Sequence, residues 1–320
     1  MHPAASARSA GAERRQYGAE RGLHSGIVWL YVHLMLATEI ESRLLRPAGL
    51  PTPGPSGHIL DVEAHVAWLR QYAAAVESAC EGDPEPMRIK TAHTLGVLGN
   101  AKTIAAEERF FPPLARACLL AAVYHDVARY EQYRLWNTFR DRDSMSHGEL
   151  GAILVGTLGV LEREPQLARA VTEAVRLHNA YALPEELPAD VRAVTQTVRD
   201  ADKLDIMRVI DAHLSRPGPY SPTVVLSRPD DPSLFSDKVI QACLDHRAAS
   251  YDDLASVNDF RLLLGTWIYG LNYKASRRLL ARQGRCRRLV EALPADGPYR
   301  EARAQLLGEL AMLEAGEDGA

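Results

Sequence analysis

From residue 59 to residue 213 apolar side chains recur every three or four positions, and hardly any stretch alternates every second residue. That periodicity restricts the chain to helices packed on helices. The segments Ile59–Ser78, Arg88–Glu107, Pro112–Tyr130, Ser146–Glu164, Gln166–Ala180 and Ala189–His213 each read as a helix. The punctuation agrees: Pro112 and Pro113 suit a first helical turn, and Pro184 to Asp190 separates two helices. Ser215 to Ser233 holds five prolines, so it must be an irregular excursion, of the kind that often acts as a lid when it lies near a site. Beyond it Asp237–His246, Tyr251–Lys274, Ser276–Leu293 and Pro298–Glu314 again read as helices. The expected fold class is all-α.

Residues 1–22 lack apolar periodicity and read as disordered or as part of an overlong translated start. Residues 23–58 combine an apolar helix, Gly26 to Ala37, with a linker from Arg46 to His58 that carries four prolines. The expected division is then a main helical domain at 59–213, the proline-rich loop at 214–235 and a C-terminal helical extension at 236–320. The Gly26 to Ala37 run is too short to cross a hydrocarbon layer of about 30 Å. It reads as an amphipathic docking helix, and the chain is expected to be cytoplasmic without a transmembrane segment.

Net charge is −4, which gives no global reason to expect nucleic acid. The local cluster Lys274, Arg277, Arg278, Arg282, Arg285, Arg287 and Arg288 covers several helix faces and reads as a solvated surface paired with nearby acids. Cys80, Cys118, Cys243 and Cys286 are far apart, without the spacing of a zinc knuckle or a redox pair, and read as reduced thiols.

Against this background a few polar residues stand where apolar ones are expected. His125-Asp126 is the chain's one His-Asp dipeptide, and it ends the apolar run LLAAVYHD. His93, His147 and His178 also sit on apolar stripes, and Asp202 has Val198, Ile206 and Val209 on its own helix face. Any one such histidine could be satisfied by a backbone carbonyl, and Asp202 by Arg199 or Lys203. Four histidines and two aspartates on inward faces of five successive helices argue for a shared divalent cation, because a buried carboxylate without a partner costs several kcal/mol. One or two ions fit, and manganese, iron, cobalt, nickel, zinc and magnesium are not distinguished by these ligands.

The ordered pattern HTLGVLGNA at His93, YHDVAR at His125, SHGELGA at His147, RLHNAY at His178 and RDADKLD at Asp202 resembles the HD superfamily over about residues 60 to 213. The resemblance implies that His93, His125, Asp126 and Asp202 hold one metal. It further implies that His147 and His178 serve a second metal bridged through Asp126. It implies hydrolysis of a phosphate mono- or diester in a small phosphorylated substrate such as a nucleotide. Arg129 and Lys203 are candidates for stabilising phosphoryl charge beside Asp126, and Asp205 and Asn179 for orienting ligands. Tyr133, Trp136 and Phe139 lie in a stretch, Arg129 to Asp143, expected to wall the substrate pocket. The chain lacks the GYP tripeptide of the superfamily's cyclic dinucleotide phosphodiesterases and has one His where they show a pair, which disfavours that substrate. Two other readings use the same residues: a mixed-valence di-iron oxygenase of the superfamily, and a non-catalytic metal or ligand-sensing module. A homo-oligomer is left open.

Overall fold

The structure is a computed structural model that describes residues 39–221 and 224–316. The apolar run Gly26 to Ala37 and residues 1–22 lie outside the described residues. The chain divides into two compact units, Met1–Arg46 and Pro47–Ala320. Within the described part of the first, residues 39–43 are helical and Arg46 pairs with Glu41.

The second unit is built from twelve helices among the described residues, with no β-strand there. The first seven are α1 (Glu63–Ser78), α2 (Glu85–Glu107), α3 (Pro112–Tyr124), α4 (Ala128–Trp136), α5 (His147–Thr157), α6 (Pro165–Leu177) and α7 (Ala189–Leu214). The remaining five are α8 (Asp237–Leu244), α9 (Val257–Thr266), α10 (Lys274–Gln283), α11 (Arg285–Glu291) and α12 (Arg300–Glu314). None of the described helices is long and apolar enough to cross a membrane.

Several helices are shorter than periodicity predicts, and side-chain hydrogen bonding explains the difference. The predicted helix from Ile59 begins only at Glu63, because Arg116 Nη1 takes the carbonyls of Ile59 and Asp61 and Asp61 accepts from the Glu63 amide. The predicted helix from Pro112 to Tyr130 breaks after Tyr124. There the His125 ring donates to the Ala122 carbonyl at 2.8 Å, competing for an acceptor that a continuing helix would use. Amides of Val127 and Arg129 then bond three residues back, to Tyr124 and Asp126, which tightens the turn. The predicted Ser276–Leu293 helix splits at Gly284, whose φ of +65° suits a residue without Cβ. Tyr251–Lys274 resolves into α9 flanked by short 3₁₀ turns at Tyr251–Asp253 and Trp267–Gly270.

Helix α2 packs along α7, α3 lies against both, and α6 closes on α3, α5 and α7. Leu120, Ala121, Ala122, Val97, Leu98, Val194, Val198 and Leu204 form the buried seam between them. Gly96 allows the tightest α2–α7 approach: a Cβ there would stand 1.9 Å from Asp205 Oδ1. Gly148 plays the same part between α5 and the end of α6, where a Cβ would meet the Arg176 carbonyl at 2.4 Å.

The C-terminal helices are built on this core. Buried Asp200 on α7 accepts from the amides of Asn272 and Tyr273, and Glu108 accepts from the amide of Ala275. The basic cluster resolves into pairs with acids: Arg278 and Arg282 with Glu107, Arg287 with Glu314, and Arg288 with Asp211. The proline-rich excursion is pinned to α9 by Arg261 on the Tyr220 hydroxyl and by the Val257 amide on the Pro229 carbonyl. It leaves α7 near His213, eleven residues past Asp202, which is about 16 Å along the helix. Its described residues are tied to the far end of α7 and to α9 and are not seen to act as a lid.

Candidate metal centre

Five helices or their ends bring six predicted residues together. His93 comes from mid-α2, His125 and Asp126 from the turn after α3, His147 from the first position of α5, His178 from the residue after α6, and Asp202 from mid-α7. Their ligand atoms form two groups, His93, His125 and Asp202, and Asp126, His147 and His178, each with all atoms within 4.8 Å of one another. Asp126 joins the groups. Its Oδ2 lies 3.8 Å from His93 Nε2 and 3.7 Å from His125 Nε2, while its Oδ1 lies 3.6 Å from His147 Nε2 and 3.9 Å from His178 Nε2.

The four imidazoles are oriented in one way. Each Nδ1 faces an oxygen: Asp205 Oδ2 at 2.7 Å for His93, the Ala122 carbonyl for His125, Asp141 Oδ2 at 2.7 Å for His147, and the Val175 carbonyl at 2.7 Å for His178. Hydrogen-bond geometry therefore assigns a proton to every Nδ1 and aims every Nε2 at the middle of the cluster. His93 Nε2 and His125 Nε2 are buried without an aligned hydrogen-bond partner. His147 Nε2 and His178 Nε2 face each other at 3.1 Å. With their Nδ1 atoms turned to oxygen acceptors, the two rings aim their Nε2 atoms at each other across that gap, an arrangement a cation relieves. These orphaned and opposed nitrogens, with carboxylates beside them, fit a divalent metal.

The electrostatics agree. Burial lowers His178 to about 3, helped by His147 and His125, and burial also lowers His125, so both rings are neutral lone-pair donors near pH 7. Burial alone would raise Asp126, but the charge of Lys90, and then that of Arg129, holds it well below the usual carboxylate range. Asp202 is likewise pulled down against burial by His93. His93 behaves differently: burial would lower it, but the nearby carboxylates of Asp202 and Asp205 carry it up to about 9. Without metal its Nε2 holds a second proton, 3.0 Å from Asp202 Oδ1. A metal at this position must displace that proton, so metal affinity should rise with pH and level off above about 9. Titration calorimetry in buffers of different ionisation enthalpy should show about one proton released per metal bound at pH 7. Metal affinity independent of pH between 6 and 9 would contradict the assignment.

Arg129 and Lys203 are placed differently. Arg129 sits at the centre's edge, with Nε on Asp126 Oδ1, Nη1 shared among Gln132, the Phe139 carbonyl and Asp141, and Nη2 3.2 Å from His147 Nε2. Lys203 donates to the Gly270 carbonyl at 2.9 Å, toward the C-terminal helices. Arg199 caps the end of α6 through the carbonyls of His178 and Ala180, so neither basic neighbour neutralises Asp202 by hydrogen bonding. Asp205 holds His93 and is itself held by Arg208, while Asn179 reaches Asp141 and the His147 ring. In the expected pocket wall, Phe139 lies 5.8 Å from the Arg129 guanidinium and 5.2 Å from the Tyr133 ring.

Sequence reasoning missed Asp141 and Lys90. Asp141 orients His147 through both carboxylate oxygens, and its position in the loop before α5 gave no periodicity to read. Lys90 puts Nζ 2.8 Å from Asp126 Oδ2, and its signal was its place one turn before His93 on the same helix face. Tyr251, in the 3₁₀ turn before α9, is 43% exposed as a residue, yet burial, and then the charge of Asp202, raises its hydroxyl pKa.

Residues 91–207 match the family model described as HD domain. Over that span the chain carries an HD domain. The matched span begins just before His93 and ends just after Asp202, so it contains all six residues of the centre. No curated protein and no solved structure matches the chain. HD domains bind divalent metals and are typically metal-dependent phosphohydrolases, in keeping with the donor set built here.

Proposed function

We propose that this HD-domain protein is a metal-dependent phosphohydrolase that cleaves a phosphate mono- or diester of a small phosphorylated substrate such as a nucleotide. The observation that carries the reading is the division of the Asp126 carboxylate, one oxygen toward each group of ligands. In this reading His93, His125, Asp126 and Asp202 hold one cation, and Asp126, His147 and His178 hold a second. Bound metal would lower the pKa of water toward neutrality and neutralise charge growing on phosphoryl oxygens. The protein's own part is to fix that geometry: Asp205, Asp141 and the two backbone carbonyls lock the rings, and Asp126 keeps the two positions adjacent. Arg129 steadies Asp126 and His147 and supplies positive charge at the rim.

A second reading, a mixed-valence di-iron oxygenase, is favoured by one observation, that among the described residues four histidines and two aspartates form the two ligand groups. The test is elemental analysis of protein purified without added metal, then a screen of phosphorylated compounds with and without oxygen. Phosphate release under anaerobic conditions with manganese, cobalt or magnesium is the expected result. Turnover that requires iron and consumes oxygen would replace this reading with the second. The four thiols, three of them buried and none in a disulfide, support a cytoplasmic location.

A further inference from the structure

The centre contains two cations that are not ligands, and they differ in how free they are. Every nitrogen of Arg129 already has an acceptor, and the loop from Phe139 to Asp141 depends on those bonds. The Lys90 ammonium, among the described residues, has a single hydrogen-bond acceptor, Asp126 Oδ2. That oxygen is the one turned to the His93 and His125 nitrogens. An ammonium and a divalent cation repel each other across one carboxylate oxygen, so a metal there weakens Lys90's hold on it. The side chain has room to move: it is 23% exposed, against 4% for Asp126 and 0% for His125, so it stands on the open side of the centre. The Phe139 ring, 5.7 Å away, offers a face on which the ammonium can rest without a competing hydrogen bond.

From this geometry we infer that Lys90 is the substrate-gripping cation: with metal bound, its N–H groups turn from Asp126 to the anionic oxygens of a phosphoryl group at the centre's mouth. The inference rests on the phosphohydrolase reading and adds the residue that recognises the anion. A phosphoryl group held by cations at these ligand groups would come close to Asp126, within reach of a side chain already 2.8 Å from that residue. In the metal-free protein the same ammonium balances the charge of Asp126, so Lys90 alternates between two anions and is never left buried beside the metal without one.

The test uses the full chain loaded with manganese and inorganic phosphate as the probe, with binding followed by calorimetry at fixed metal occupancy. The variants are Lys90→Met and Lys90→Arg, each checked for native helicity and metal content. Lys90→Met should weaken phosphate binding at least tenfold while binding manganese as tightly as the parent or more tightly, and Lys90→Arg should stay within threefold. In turnover the Met variant should lose mainly in KM. Equal phosphate affinity in Lys90→Met and the parent would overturn the inference and leave the phosphohydrolase reading standing. A loss of phosphate binding that merely follows lost manganese would also overturn it. Failure of the metal-loaded parent to bind phosphate at millimolar concentration would remove both.

Discussion

Asp126→Asn is expected to abolish binding of the metal pair and to lower turnover by on the order of 10³-fold or more, the loss of several kcal/mol of transition-state stabilisation. The size follows from position. Asp126 is the one residue whose two oxygens face separate ligand groups, so an amide of the same shape keeps one acceptor and turns a donor toward the other group. His147→Gln removes a donor from one group alone and should leave one metal per chain. Elemental analysis beside a turnover assay separates the two variants. Asp126→Asn protein that keeps two metals and activity within tenfold of the parent would sink the bridging role. Helicity should be unchanged, because the turn at His125–Val127 is held by the His125 ring on the Ala122 carbonyl and by backbone bonds.

Much of this centre is legible because burial and polarity conflict at its histidines and aspartates. A histidine or aspartate on an apolar helix stripe is costly, and that conflict marks His93, His125, Asp126, His147, His178 and Asp202, which the structure brings into two adjacent groups that could hold metal. Residues that act through another residue carry no such mark. Asp141 lies in an irregular loop, and Lys90 looks like any surface lysine until Asp126 is seen beside it. Helix type was readable from periodicity, but helix ends were not, since they depend on distant side chains. Arg116 delays the start of α1 from 57 residues away, and the break after Tyr124 needs the orientation of the His125 ring. Lys203 shows the limit of neighbour arguments. One residue from Asp202 in sequence, it turns about 100° around the helix and serves the Gly270 carbonyl instead.

Glu164→Gln should destabilise the fold by about 3–5 kcal/mol without changing a single metal ligand. Glu164 is 1% exposed and receives Arg116, itself 3% exposed, through two nitrogens. It also bonds His65 Nε2 at 2.9 Å, and His65 Nδ1 meets the Tyr124 hydroxyl beside the His125 turn. Burial alone would raise the Glu164 carboxyl, but Arg116 and His65 hold it lowered, so it is the anion on which this network depends. Neutralising it strands a buried guanidinium, and the melting temperature should fall on the order of 10 °C. The double variant Arg116→Met with Glu164→Leu should lose much less than the two single changes added, because apolar groups of similar volume restore the packing and leave no uncompensated charge. Thermal melts of the four proteins in this cycle measure the difference, and additive losses would show that Arg116 and Glu164 act independently. Glu164→Gln also separates folding from chemistry: below its melting transition this variant should keep its metal content, since the four histidine rings take their orientation from Asp205, Asp141 and the carbonyls of Ala122 and Val175 and not from Glu164.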